Sequence, residues 1–415
     1  MRHVVLPFDL RDDPKAINDR ENRDILFAIF PNVRAISSDG YFICFSVQEL
    51  PPRPWPQSVA GLPAHILPQI GDIPVARSPL PFGTQARRKN GSVAEDQNGR
   101  NMKNWTPLFN IIRNHFQAID ISITEVIYWA SYVVIVLEHR GTNTDKLPWK
   151  VANIQCFYTY DDEMGRPSIP QACRLQDPTP GNPDNAHYHS LQPGLRVTSD
   201  YLPSRPGTFL STTTGVLVQD EVGNEFMTVT AHGFPSECGT KVTHPAPTGG
   251  RDIGELTMEL AYTDLALVKL HDTEKFSNTM FQTEQTPEPV QLKRLVELSG
   301  GGTGINSILI DSPDTGCIDG TFVTTSFCRI PSDDVIVPEQ QWIFSIWNYM
   351  GQDSADSLRD GICGSPIWTE AGEVLGFFRY APQRGLAKDF CIGIAADELI
   401  KRGFILVHTS NEESN

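Results

Sequence analysis

No run of about 18 consecutive apolar residues occurs in the 415-residue chain, so no helix long and apolar enough to cross a bilayer is expected. Basic residues are the minority: 34 lysines and arginines stand against 50 aspartates and glutamates, a net charge of −16. A surface of that sign repels polyphosphate and anionic lipid, which argues against nucleic acid or a membrane as the main partner. Also missing is any Cys-x-x-Cys pair among the eight cysteines (44, 156, 173, 238, 317, 328, 363 and 391). Zinc-ribbon and thioredoxin-like chemistry therefore lacks its spacing. The opening residues, MRHVVLPFDLRDD, hold no apolar stretch of about 7–15 residues before a small-residue cleavage site, so no signal peptide is expected. Together these absences predict a cytoplasmic chain with reduced thiols.

What the chain does have is proline, 32 residues of it, in two dense stretches. Pro51 to Pro81 carries nine and reads as extended, irregular chain; Arg166 to Gly207 carries eight. The second stretch divides the sequence into an α+β domain at 1–165, a proline-rich linker at 166–206 and a β domain at 207–415. In the first, Asp13-Pro14 and Thr106-Pro107 open helices, while 41–47, 123–138 and 151–160 read as strands. In the last, short apolar runs recur between glycine, proline and aspartate turns: 213–218, 226–230, 255–260, 265–270, 305–310, 320–330, 341–347 and 373–379. That is the pattern of an all-β barrel or sandwich, with a short helix expected at 394–403.

Three local motifs in the β domain carry chemistry. Phe226-Met-Thr-Val-Thr-Ala-His232-Gly is an apolar strand ending in histidine. Tyr262-Thr-Asp264-Leu-Ala-Leu opens a second strand with an aspartate, 32 residues on, and Asp360-Gly361-Ile-Cys363-Gly-Ser-Pro is a glycine-flanked cysteine a further 99 residues along. A thiol near its ordinary pKa of about 8.5 needs an imidazole to become a nucleophile at neutral pH. An imidazole in turn needs a partner that fixes its tautomer, which a carboxylate supplies. Glycine at 361 and 364 lets the backbone turn so that the Gly361 and Cys363 N–H groups converge on one point, where an oxyanion would sit.

The three motifs, in the order histidine, aspartate, nucleophile, resemble those of the chymotrypsin-like (trypsin-like) protease superfamily over residues 207–405. Gly-x-Cys-Gly is similar to the nucleophile motif of its picornavirus-type cysteine branch. The resemblance implies an all-β double β-barrel, His232 as general base and acid, Asp264 as its orienting partner, Cys363 as nucleophile, a protein or peptide substrate and no cofactor. Ile362 stands where the secreted zymogens place an activating aspartate. Gly233 and Arg359 stand where their disulfide cysteines would be. The resemblance also implies a side-chain pocket lined by Ser357, Phe378, Arg379 and Tyr380, with a neutral, apolar or aromatic preference; with Asp356 at the floor instead, the preference turns to basic residues.

Other readings compete. The same fold without turnover would be a peptide-binding or scaffold module. Ser365 is a rival nucleophile and His244 a rival base, although His244 lacks the preceding apolar strand. His187-Tyr-His189 falls short of the three or four ligands of a metal site, and Ser299-Gly-Gly-Gly-Thr-Gly304 lacks the lysine of a phosphate loop.

Overall fold

The computed structural model describes residues 3–68, 90–102, 104–129, 132–167, 173–176, 186–199, 208–234, 239–245, 250–260, 263–283, 286–299, 307–312, 315–330, 341–353, 358, 361–382, 384–385 and 387–408. Most elements are strands that alternate β-branched and aromatic residues with small polar ones, as a pleated, packed surface requires.

Six strands hydrogen-bond in the order Thr208–Thr213, Arg196–Ser199, Lys241–His244, Arg251–Leu260, Leu265–Leu270 and Glu225–Thr230, all antiparallel. The Gly215 N–H donates to the Thr228 carbonyl at 2.7 Å and the Thr228 N–H to that of Val216 at 2.9 Å, bringing the chain after the first strand onto the last and closing a barrel. Inside it pack Val197, Met227, Val229, Val242, Ala266 and Val268. A second ring runs Ser307–Ser312, Pro366–Trp368, Glu373–Tyr380, Phe390–Ala395, Gln341–Tyr349 and Gly316–Ile330, and the last strand pairs back with the first. The two antiparallel sheets in tandem, one of them a closed six-stranded ring, form the expected double β-barrel, preceded by an α+β N-terminal region.

The 15-residue strand Gly316–Ile330 does two jobs. Its start pairs with Ser307–Ser312, and residues 326–328 pair with Ile123–Trp129 of the N-terminal region. Helix Thr106–Ala118 packs its apolar stripe on the same sheet. The Phe109 ring stacks on Phe327 with centroids 3.9 Å apart, and Phe327 meets Phe344 at 3.9 Å. One hydrophobic core thus contains Leu108 and Ile112 from the helix together with Ile362 and Cys363 from the glycine-flanked turn.

The strands cross the boundary expected from proline density. Arg196–Ser199, inside the expected linker, is a strand of the first barrel, and Cys173–Gln176 pairs with Thr208–Thr213. Strand pairing decides this over composition, because proline is tolerated between strands and at sheet edges. The expected helix at 394–403 is shorter: 390–395 is a buried strand, and only Asp397–Ile400 is helical.

Candidate active site

His232 follows strand Glu225–Thr230 in a tight turn, Ala231–Gly233. Gly233 is there for space: a Cβ on it would lie 2.9 Å from that of Thr212. Asp264 begins the neighbouring strand with φ +63°, a left-handed conformation that aspartate tolerates better than most residues. The turn before it is tied by Thr263, whose hydroxyl donates to the Leu260 carbonyl at 2.7 Å. From there the Asp264 carbonyl accepts from Ala231 N–H at 2.9 Å, and its carboxylate accepts from His232 N–H at 3.0 Å. The ring itself comes last: Nδ1 lies 2.9 Å from both carboxylate oxygens. A carboxylate only accepts, so Nδ1 carries a proton and Nε2 is directed away from Asp264. Nε2 is buried and has no hydrogen-bond partner among the described residues.

Asp264 has a second partner. The Arg379 Nε donates to its Oδ2 at 2.8 Å, and both side chains are buried. Burial alone would push the Asp264 carboxyl up. The His232 imidazole and the Arg379 guanidinium outweigh it and hold the carboxyl below the usual range.

The cysteine turn leans on the first barrel. Thr213 donates its hydroxyl to the Gly361 carbonyl at 2.8 Å; Thr212 donates its own to the Cys363 carbonyl at 2.6 Å, which also accepts the Thr213 N–H at 3.0 Å. Gly361 and Gly364 have φ of +101° and +94°. A Cβ on Gly364 would sit 2.6 Å from the Thr213 carbonyl oxygen and 3.2 Å from the Thr230 nitrogen, so the turn lies against the end of the histidine strand. The Ile362 carbonyl accepts from Ser365 N–H at 3.0 Å. In a trans peptide the Cys363 N–H then points the opposite way, outward from the turn. The Cys363 Sγ donates to the main-chain carbonyl of Arg379 at 3.1 Å.

The remaining expected residues are placed as follows. Phe378 is buried in the core that holds Cys363, and Tyr380 in the core around Trp347 and Phe390. The Arg379 side chain runs to Asp264, and Ser357, Asp356 and Arg359 lie outside the described residues. Ser365 is fully buried. His244 is fully buried too, its Nδ1 2.7 Å from the Arg196 carbonyl and its Nε2 accepting from Tyr188 N–H, so it packs as a structural residue. Among the described residues no group of three or more His, Cys, Asp or Glu side chains is arranged to hold a metal ion. Sequence reasoning missed the Arg379–Asp264 pair and the two threonines under the cysteine turn. The signal was present: an arginine inside Phe-Phe-Arg-Tyr, on an otherwise apolar strand, must be paired if it is buried.

No protein-family model matches the chain, and no curated protein matches it. Among solved structures it is similar to a glutamic acid-specific serine protease that uses a histidine triad in substrate binding, at 13% identity over 52% of this chain and 100% of that one, TM-score 0.36. It is similar to Thermobifida fusca Protease A at 12% identity over 53% of this chain and 100% of that one, TM-score 0.36. For Nocardiopsis protease the figures are 12%, 53%, 100% and 0.37.

Proposed function

We propose that the chain is an endopeptidase in which Cys363 attacks the substrate carbonyl, His232 moves the proton and Asp264 holds the imidazole. The observation that carries this reading is the His232–Asp264 contact at 2.9 Å, just past the strand end that the glycine-flanked cysteine turn approaches at Thr230. In the first step the thiol proton passes to Nε2 and the Cys363 Sγ adds to the carbonyl carbon. The Cys363 N–H, with that of Gly361, faces the developing oxyanion, an interaction worth about 3–4 kcal/mol of barrier per donor. The imidazolium then protonates the departing amine, a thioester remains on Cys363, and His232 activates water to hydrolyse it. We assign Ser357 to the side-chain pocket, with a neutral, apolar or aromatic preference; Asp356 at the floor would turn it to arginine and lysine.

A peptide-binding module without turnover is the second reading. One observation favours it: the Cys363 thiol donates to the Arg379 carbonyl, not to His232 Nε2, so a rotation about the cysteine Cα–Cβ bond must precede chemistry. Incubation with a peptide library, read by mass spectrometry, separates the two. Cleavage that disappears in Cys363→Ala and falls steeply in His232→Ala supports the peptidase. Undiminished cleavage in Cys363→Ala overturns it, and binding without cleavage by the unmodified chain leaves the module.

A further inference from the structure

We propose that Arg379 is a positioning residue that locks the Asp264 carboxylate against His232 and tunes the pH at which Cys363 becomes a nucleophile. This inference rests on the peptidase reading above and adds a fourth member to the site.

The geometry is specific to one residue. The Arg379 Nε donates to Asp264 Oδ2 at 2.8 Å, while the main-chain carbonyl of the same residue accepts the Cys363 thiol at 3.1 Å. Arg379 therefore touches the acid with its side chain and the nucleophile with its backbone. Asp264 Oδ1 has three further neighbours: His232 N at 3.0 Å, His232 Nδ1 at 2.9 Å and Thr230 Oγ1 at 3.4 Å. With the guanidinium on Oδ2 the carboxylate has no freedom to swing away from the ring. A planar guanidinium, always charged and rigid in its donor directions, suits a buried carboxylate better than a flexible ammonium would.

The charges facing this centre come from several elements. Asp264 meets His232 and Arg379, and its charge reaches Glu259, whose carboxyl is pushed up mainly by burial. Arg379 faces Asp264, Cys328 and Tyr380, and its Cζ lies 5.6 Å from the Tyr380 ring centroid. A buried cation beside Asp264 offsets the carboxylate charge that would otherwise be felt in full by the imidazole. Its removal makes the surroundings of both the imidazole and the thiol more negative. Every proton there is then held more tightly, and thiolate forms at higher pH.

The test is the rate of Cys363 alkylation by iodoacetamide against pH, followed peptide by peptide, with cleavage kinetics beside it. In Arg379→Gln the midpoint of alkylation should move to higher pH by half a unit or more. In Arg379→Lys, which keeps the charge without the fork, the midpoint should stay and kcat fall several-fold with KM little changed. An Arg379→Gln midpoint equal to that of the unmodified chain overturns the inference. If that variant does not fold, Arg379→Lys with unaltered kcat overturns it instead. Failure of the peptidase reading looks different: alkylation of Cys363 in the unmodified chain would then be indifferent to His232→Ala.

Discussion

The hydroxyl of Thr212, on a strand of the first barrel, donates to the main-chain carbonyl of Cys363, in the second, at 2.6 Å. The bond is buried and fixes the cysteine turn against the barrel that carries His232 and Asp264. Thr212→Val keeps the shape and deletes the donor. Leaving that carbonyl with the Thr213 N–H alone should cost about 1–3 kcal/mol in chemical denaturation. Peptide cleavage should fall by more than the loss of folded protein explains. Unchanged kcat and stability together would show that the turn holds its shape without this tie.

Gly364→Ala tests the approach of the two barrels directly. The new methyl would lie 2.6 Å from the Thr213 carbonyl oxygen, at a φ of +94° that alanine resists. The combined strain and overpacking should cost about 2–5 kcal/mol and abolish Cys363-dependent cleavage. An alanine variant with ordinary stability would mean that the turn can rebuild itself.

Thiol reactivity should single out one cysteine. Burial pushes the Cys328 thiol up to about 11 and that of Cys391 up to about 12, and it raises Cys44 further. These three should resist iodoacetamide at neutral pH in the folded protein, while Cys363 reacts in a manner that depends on His232. Equal labelling of Cys328 and Cys363 would remove the basis for calling one of them activated.

Asp389 gives a pH prediction with a definite sign. Burial raises its carboxyl from 3.8 to about 6 in the folded chain, although its Oδ1 accepts from Asp353 N–H at 2.7 Å. The folded state then binds the proton more tightly than the unfolded state. The stability this confers is full below pH 3.8 and is lost as pH rises through 6. Asp389→Asn, which keeps an acceptor and loses the charge, should stabilise the protein by about 2 kcal/mol at pH 7 and by almost nothing at pH 4. Equal effects at the two pH values would contradict the burial account.

Much of this architecture can be read from the residues alone. Helix Thr106–Ala118 follows from its proline start and apolar spacing, and strand Leu265–Leu270 from its alternation. The β-branched and aromatic density of 123–138 reads as a hairpin or one long strand, and the structure has the hairpin Ile123–Trp129 and Tyr132–Leu137. What stayed hidden depends on partners far away in sequence. Arg196–Ser199 is a polar run in proline-rich surroundings, and it is a strand only because Thr208–Thr213 and Lys241–His244 flank it. Asp13 does cap a turn, but a 3₁₀ turn over Pro14–Asn18; the α-helix Arg20–Phe27 takes its own cap from Asp19. At the site, the Thr-Ala-His and Thr-Asp signals point to two residues in hydrogen-bond contact, and the Gly-x-Cys-Gly signal to a turn that lies against the end of the histidine strand. Phe-Phe-Arg-Tyr signals that a buried Arg379 needs a partner, but nothing local says which carboxylate lies opposite.

The long strand Gly316–Ile330 makes one sheet edge serve two neighbours, the second barrel and the N-terminal hairpin. A chain cut enzymatically after Trp129 and before the second proline-dense stretch would therefore stay assembled, because the fragments share hydrogen bonds and the Phe109–Phe327–Phe344 stack. It also means that the floor beneath Cys363 is built partly from residues more than 200 positions earlier. Phe327→Ala, at a cost of about 3–5 kcal/mol, would loosen both neighbours at once.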